Sequence, residues 1–182
     1  MIFEPKQITL KDGRIAVLRS PNAEDAADFL AYITKACGET EFLARFPEEW
    51  ETMPLEREVA WIEDRRISPL AISIACFVDG KVAGNCEIAF KPGKKMGHRA
   101  ALAIAILQEY WGLGIGSAMF EEMIAAAHAH GTTVMELEFI QGNDRAQGLY
   151  EKYGFQIVAE RPYAIRQKDG RLVSEFLMQK YL

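Results

Sequence analysis

Three glycines at every second position, Gly112, Gly114 and Gly116, follow an alternating apolar run and precede an amphipathic helical pattern over residues 117–130. The first turn of a helix exposes backbone N–H groups that have no intrahelical partner and carry partial positive charge. Glycine lets a bulky anion approach these groups closely because it has no Cβ. The spacing therefore predicts a site for a phosphorylated ligand near residues 112–117.

Two familiar phosphate motifs do not fit this segment. A P-loop needs Lys and Ser or Thr after its last glycine, whereas Gly116 is followed by Ser117 and Ala118. A dinucleotide-binding fingerprint needs glycines spaced GxGxxG, and here the spacing is GxGxG. A glycine-rich turn between a strand and a helix is a weak motif by itself, so a purely structural turn is the alternative interpretation.

Length and composition indicate one globular domain over residues 1–182. The chain has 182 residues, of which 49% are hydrophobic and 26% charged, and this is ordinary for a soluble protein with a substantial core. Its net charge of −5 argues against a nucleic acid as the main partner, since proteins that bind a phosphate backbone usually carry a basic surface.

Cysteine use and hydropathy predict a cytoplasmic protein. Cys37, Cys76 and Cys86 have no metal-ligand spacing, and an odd count without a disulfide framework favours a reducing compartment. No apolar run approaches the ~18 residues that span a bilayer, so no membrane partner is expected. The N-terminal residues show no apolar signal segment. We expect neither a secretory signal nor a bound metal.

The periodicities predict a mixed α/β domain in the order β-α-α-β-β-β-α-β-α-β-β. Asp79-Gly80 is typical of a tight hairpin between two strands, and Gly131 is typical of a helix C-terminus. Residues 37–53 form an irregular acidic and aromatic segment. The predicted strands cover residues 13–20, 71–78, 82–90, 99–107, 133–140, 155–165 and 172–180, and the helices cover about 22–33, 54–62, 114–130 and 143–152.

This order and two motifs resemble the GCN5-related N-acetyltransferase (GNAT) superfamily, in its bacterial single-domain type. The first motif is Trp111-Gly112-Leu113-Gly114-Ile115-Gly116, which is similar to the family form Arg/Gln-x-x-Gly-x-Gly/Ala except that Trp111 replaces Arg or Gln. The second motif spans residues 143–155 and matches N-x-x-A-x-x-L-Y-x-K-x-G-F at every fixed position. Two motifs in the expected strand and helix context are far more specific than either alone.

The resemblance implies an acyl-CoA N-acyltransferase fold and acetyl-CoA as co-substrate. The fold is a mixed, mostly antiparallel central sheet with helices on both faces, in which the family's fourth and fifth strands, here 101–107 and 134–140, splay apart around the pantetheine arm. The pyrophosphate would lie on the glycine turn, and an N–H near Ile106 would stabilise the oxyanion. The implied cofactor-binding residues are Ile106, Leu107, Gln108, Gly112, Leu113, Gly114, Ile115, Gly116, Ser117, Asn143, Ala146 and Tyr150.

The implied reaction is direct attack of a neutral amine on the thioester in a ternary complex. It requires a group that removes the amine proton and a donor for the departing thiolate. Tyr150 is the candidate acid, with simple packing beside the sulfur as the alternative. Glu87 is the first candidate base, and Glu136 and Glu138 share one face of a later strand.

The acceptor is the open part of the prediction. In this superfamily it is roofed by segments that correspond here to residues 37–53 and 161–172. We expect a small-molecule amine, an amino acid first, with a protein N-terminus or lysine as the alternative acceptor. A non-catalytic acyl-CoA sensor is the alternative of another class. The acyl chain length stays open, and the apolar final strand, 178–182, is compatible with a homodimer.

Overall fold

The computed structural model describes all 182 residues as an eight-stranded open sheet with helices on both faces. The strand order across the sheet is β1-β2-β3-β4-β5-β6-β8-β7. The strands are β1 (Lys6–Thr9), β2 (Ile15–Arg19), β3 (Ala71–Val78), β4 (Lys81–Phe90), β5 (Arg99–Ile106), β6 (Val134–Ile140), β7 (Gln156–Arg166) and β8 (Leu172–Tyr181). The helices are α1 (Ala26–Glu39), α2 (Pro47–Glu51), α3 (Leu55–Ile67), α4 (Ile115–His130) and α5 (Asp144–Lys152).

The sheet opens between β5 and β6, the one parallel pair among antiparallel neighbours. Pairing between these strands is confined to residues 99–101 on β5 and 134–136 on β6. On its other side, β5 stays paired with β4 as far as Ile106, which lies opposite Gly84. The two strands therefore diverge over the second half of β5, and the predicted splayed sheet is confirmed.

Side-chain alternation along β4 assigns the helices to opposite faces of the sheet. Asn85 accepts a hydrogen bond from Tyr32 of α1, whereas Phe90 stacks on His130 of α4 at 3.7 Å between ring centroids. Residues of opposite parity on a strand point to opposite faces. Helices α1 and α3 thus cover one face and α4 covers the other, so the sheet packs against helices on both of its sides.

Close approach of β4 to the end of β5 depends on Gly84. A Cβ at this position would lie 2.8 Å from the Ala105 carbonyl oxygen and 2.9 Å from the Ile106 side chain. Distances that short are not tolerated, so any side chain would push the two strands apart. Gly84 therefore fixes the position of the last residues of β5, which border the gap.

Two elements were not anticipated from the sequence. Strand β1 is four residues long and largely exposed, so its stability comes from pairing with β2 rather than from a buried face. Helix α2 lies within the segment predicted to be irregular, and it begins with Pro47 and carries Glu48 and Glu49 in its first turn. Proline at the first helical position followed by acidic residues is a signal that could have predicted it.

The last strand in sequence is internal to the sheet. Strand β8 lies between β6 and β7, and Met178 is completely buried in the core. Strand β7 forms one edge of the sheet and β1 the other. None of the helices combines the length and the apolar character that crossing a membrane requires.

Candidate active site

A cavity of about 610 Å³ occupies the gap between β5 and β6 and continues to the glycine turn. Most of the cofactor-binding residues predicted from the sequence line this cavity. They are Ile106, Gln108, Gly112, Gly114, Ile115, Gly116, Ser117, Asn143, Ala146 and Tyr150. Leu107 and Leu113 do not line it: Leu107 is buried in the core with its N–H bonded to Ala83, and the Leu113 carbonyl accepts from the Lys11 N–H.

The glycine turn has the geometry of an anion site. Gly112 and Gly114 have φ values of 78° and 99°, a left-handed conformation that favours glycine. The first backbone bond of α4 runs from the Ala118 N–H to the Gly114 carbonyl oxygen at 3.1 Å. The N–H groups of residues 115–117 therefore have no intrahelical partner, and no side chain caps this end of the helix.

At Gly116, glycine is needed because neighbouring side chains leave little room for a Cβ. A Cβ there would lie 3.0 Å from the Leu149 side chain of α5 and 3.4 Å from the Ile106 side chain of β5. The glycine therefore lets the start of α4 pack closely against α5 and the end of β5. This packing brings the two sequence motifs to the same cavity.

Backbone groups of β5 face the gap in the sheet. The Leu107 N–H donates to the Ala83 carbonyl oxygen at 3.0 Å, so odd-numbered residues of β5 pair with β4. Because such pairing alternates along a strand, the N–H groups of Ile104 and Ile106 point toward β6. Strand β6 has diverged at this level, so these N–H groups border the cavity.

Trp111, the residue that departs from the family motif, contacts both β5 and α5 at the cavity. Its indole N–H donates to the Ile106 carbonyl oxygen at 2.7 Å. The Arg145 guanidinium lies over the Trp111 ring at 4.7 Å from its centroid, and both residues line the cavity. Arg145 thus brings to the glycine turn a positive charge that the motif's usual Arg would have supplied. Sequence reasoning missed Arg145 because it occupies a variable position of the second motif.

Asn143 and Lys152 connect the second motif to the first. The Asn143 side chain caps α5, with its Oδ1 accepting from the Ala146 N–H at 3.3 Å. This leaves the side-chain amide N–H₂ of Asn143 for a ligand in the cavity. Lys152 donates to the Ser117 hydroxyl oxygen at 2.9 Å and so adds a second cation beside the start of α4.

Tyr150 lies in an aromatic cluster that borders the cavity. Its ring is in contact with Phe120, Phe139 and Phe155, with ring centroids 5.6 to 6.5 Å away. Burial raises the pKa of the Tyr150 hydroxyl to about 12. The phenol is therefore protonated across the physiological range and can act as a donor but not as a base.

The three candidate bases lie in different surroundings. Glu87 on β4 is outside the cavity and accepts from the Arg65 guanidinium at 3.0 Å, and burial raises its pKa despite this partner. Its neighbour across the strands, Ala103, does line the cavity. Glu136 is buried in an ion pair with Arg99 and is not part of the lining.

Glu138 lines the cavity, together with Glu175 of β8, and both carboxylates are ion-paired with Arg161. These two acidic side chains come from β6 and β8, on the side of the gap opposite β5. Among the candidates named from sequence, Glu138 is the one whose side chain borders the cavity directly. The structure brings together no group of three His, Cys, Asp or Glu side chains suited to a metal ion.

The two segments expected to roof the acceptor are in contact. Glu48 of α2 forms an ion pair with Lys168, and the Glu41 carboxylate lies 3.6 Å from the Arg171 guanidinium. Phe42, between them in sequence, lines the cavity. Part of the acidic charge of this segment is therefore paired, at the protein surface, with cations of the β7–β8 turn.

The family model described as Acetyltransferase (GNAT) family matches residues 39–155, which include both motifs and the whole gap between β5 and β6. No curated protein matches the chain.

Solved structures share the fold over nearly the whole chain. An acetyltransferase of the GNAT family from Streptococcus pneumoniae is 27% identical, with a TM-score of 0.84, and the match covers 92% of this chain and 99% of that one. A ribosomal-protein-alanine N-acetyltransferase from Brucella melitensis is 25% identical, with a TM-score of 0.77, covering 91% and 99%. A Salmonella typhimurium protein described as an acetyltransferase, solved with its cofactor acetyl-CoA, is 20% identical, with a TM-score of 0.76, covering 92% and 94%.

Proposed function

Since the chain belongs to the GNAT acetyltransferase family, we propose that it transfers the acetyl group of acetyl-CoA to the primary amine of an amino acid or another small molecule. The observation that carries this proposal is the single cavity that joins three parts: the glycine turn, the backbone of β5 at the gap, and the buried hydroxyl of Tyr150. An anion site, an oxyanion donor and a proton donor are what the chemistry requires.

Acetyl-CoA fits the polar groups along this cavity. The free N–H groups of residues 115–117 suit the pyrophosphate, with Arg145 and Lys152 as flanking cations. The pantetheine would extend along β5 as an added strand, using the backbone groups that face the gap. The Ile106 N–H would then donate to the thioester carbonyl oxygen as negative charge develops on it.

Tyr150 is proposed to donate its proton to the departing CoA thiolate. Its raised pKa keeps it protonated before transfer, and the thiolate is the group that needs a proton when the C–S bond breaks. Glu87 is proposed as the base, acting through water beside Ala103, because burial makes its carboxylate a better proton acceptor. Glu138 is the alternative base, supported by its place in the cavity lining.

A protein N-terminus is the second candidate acceptor. The Brucella melitensis relative is a ribosomal-protein-alanine N-acetyltransferase, and its fold matches this chain over 91% of its length. Both acceptors present a primary amine, so the proposed chemistry is the same. We place either activity in the cytoplasm, because all three cysteines are free thiols in buried positions.

The deciding experiment measures release of free CoA thiol from acetyl-CoA and propionyl-CoA across a panel of amines. The panel contains amino acids, polyamines, aminoglycosides and a peptide that begins with alanine. We expect release with at least one amino acid, and the Tyr150→Phe protein serves as the matched low-activity control. Binding of acetyl-CoA without release for any amine would support a sensor and contradict the proposed enzyme.

A further inference from the structure

The carbonyl group of Ala105, near the end of β5, is held by a buried side chain from outside the acyl-CoA cavity. Tyr32 of α1, which is only 4% exposed, donates its hydroxyl proton to the Ala105 oxygen at 2.8 Å. Tyr32 is not part of the lining of that cavity. Phenylalanine would fill the same apolar space beside Phe29, and a buried hydroxyl is costly unless it is hydrogen-bonded. What the hydroxyl adds to this position is therefore its bond to Ala105.

The Ala105 carbonyl and the Ile106 N–H belong to the same peptide unit. All peptide bonds of the chain are trans, so these two groups lie in one rigid plane and point in opposite directions. The Ile106 N–H points into the gap, where it is the proposed donor to the thioester oxygen, and the Ala105 carbonyl points away from it. A bond that fixes the carbonyl oxygen therefore also fixes the direction of the N–H.

The backbone around Ile106 has a neighbouring strand on one side only. Strand β6 pairs with β5 no further than Ala101, whereas β4 continues to the level of Ile106. Two side chains hold the backbone where β6 has diverged. Tyr32 binds the carbonyl of the peptide that precedes Ile106, and the Trp111 indole binds the carbonyl of the peptide that follows it. The two bonds together restrict rotation of the Ile106 backbone at the gap.

Asn85 of β4 determines where the phenol proton of Tyr32 goes. Its side-chain Oδ1 lies 2.9 Å from the Tyr32 hydroxyl, so this oxygen and that of Ala105 both face the single proton of the phenol. A half-turn of the Asn85 amide keeps its shape and brings its N–H₂ to the phenol oxygen. Asn85 then donates to Tyr32, and Tyr32 donates to Ala105. Burial raises the pKa of the Tyr32 phenol, so the proton is retained over the physiological range.

We propose that Tyr32 is a positioning residue for acetyl transfer: its hydroxyl, oriented by Asn85, holds and polarises the 105–106 peptide and so makes the Ile106 N–H a stronger donor to the thioester oxygen. This inference rests on the proposed function, because it concerns the oxyanion donor of that reaction. Hydrogen bonds in a chain strengthen one another by about 10–30%. Loss of an oxyanion donor lowers kcat about a hundredfold to a thousandfold, and 10–30% of that free energy corresponds to about two- to eightfold.

Difference infrared spectroscopy of bound acetyl-CoA, labelled with ¹³C at the thioester carbonyl and without an amine, tests this role. A stronger hydrogen bond lowers a carbonyl stretching frequency, so the wild-type band should lie below that of free acetyl-CoA and shift back toward it in Tyr32→Phe. Tyr181→Phe loses an exposed hydroxyl on β8 and should keep the wild-type band. Identical bands in wild type and Tyr32→Phe would overturn the inference alone, whereas wild-type protein that binds no acetyl-CoA would overturn the proposed function as well.

Kinetics and a second variant separate positioning from a merely structural role. With the amine that supports turnover, Tyr32→Phe should lower kcat about two- to eightfold and leave the KM for acetyl-CoA unchanged, because Tyr32 lies outside the cavity lining. Asn85→Ala should shift the infrared band in the same direction, and should add nothing in the Tyr32→Phe background. A raised KM for acetyl-CoA in Tyr32→Phe, or additive band shifts, would overturn the inference. If Tyr32→Phe does not fold, an unchanged band in Asn85→Ala would overturn it.

Discussion

The indole N–H of Trp111 donates to the carbonyl oxygen of Ile106 across 2.7 Å, and this bond joins the glycine turn to the last residue of β5. The pyrophosphate and thioester ends of the proposed acetyl-CoA site are therefore linked by one side chain. Trp111, which stands where the family has Arg or Gln, thus bonds to the protein backbone. The positive charge beside it comes from Arg145 instead.

Trp111→Phe should weaken acetyl-CoA binding about two- to tenfold, since one hydrogen bond contributes about 0.5–1.5 kcal/mol. Phenylalanine keeps an aromatic face for Arg145 and removes the indole N–H, so the variant isolates the bond to Ile106. The measurement is the Kd for acetyl-CoA by calorimetry. Arg145→Met is the companion variant and should reduce the dependence of this Kd on salt. An unchanged Kd in Trp111→Phe would contradict the linking role.

Two glycine substitutions should have opposite effects on stability. Gly114→Ala should lower the free energy of unfolding by about 1–2 kcal/mol and weaken acetyl-CoA binding, because the residue has a φ of 99° at the start of α4. Gly148→Ala should raise the free energy of unfolding by about 0.5–1 kcal/mol, since Gly148 lies inside α5 with open space around the added Cβ. Urea unfolding of both proteins gives the comparison. A stable, fully binding Gly114→Ala protein would contradict the proposed geometry.

The sequence predicted the architecture well where local pattern and buried packing agree. The hairpin at Asp79-Gly80 and the helix end at Gly131 both have positive φ values in the structure, a conformation that these residue types tolerate. Strand β1 escaped prediction because its four residues are mostly exposed and carry no apolar alternation, so pairing with β2 decides their conformation. A signal for α2 was present in Pro47, but five residues give no periodicity to detect.

The site was predictable only as far as the two motifs extend. The backbone conformation at Gly114 can be predicted from its residue type. The place of Arg145 cannot, because it depends on the packing of α5 beside the glycine turn. Side chains that act through long-range contacts leave no spacing pattern in the sequence.

Tyr150→Phe should reduce kcat at saturating substrates by about a hundredfold, which is the lower range for losing a general acid. The ring keeps its contacts with Phe120 and Phe139, so the fold and the acetyl-CoA affinity should be preserved. Because the pKa of Tyr150 is raised to about 12, the wild-type rate should show no loss from this group up to pH 10, about two units below its pKa. A normal kcat for the variant would contradict the acid role and leave Tyr150 as a packing residue.

Paired variants should identify the base. Glu87→Gln and Glu138→Gln each remove one carboxylate and keep the side-chain shape, and the one that carries the base should lose kcat by about a hundredfold. If Glu87 is the base, its variant should also lose the rise of kcat with pH, because the wild-type group accepts a proton only above its raised pKa. Glu136→Gln is the control, since Glu136 lies opposite Ala101, where β5 and β6 are still paired and the gap has not opened. Equal kcat values in all three variants would contradict a carboxylate base from this set.

Glu87 should also affect how stability varies with pH. Burial raises its pKa in the folded protein above the ordinary 4.5, so the folded state holds this proton more tightly than the unfolded state does. Between the two pKa values the folded state binds more protons, and the free energy of unfolding therefore falls as pH rises through that window. Glu87→Gln cannot titrate, so its free energy of unfolding should fall less over the same window. Urea unfolding of both proteins from about pH 4, near the ordinary carboxyl pKa, to about pH 8 measures the difference. If the free energy of unfolding of the two proteins changed in parallel with pH, the raised pKa would be contradicted.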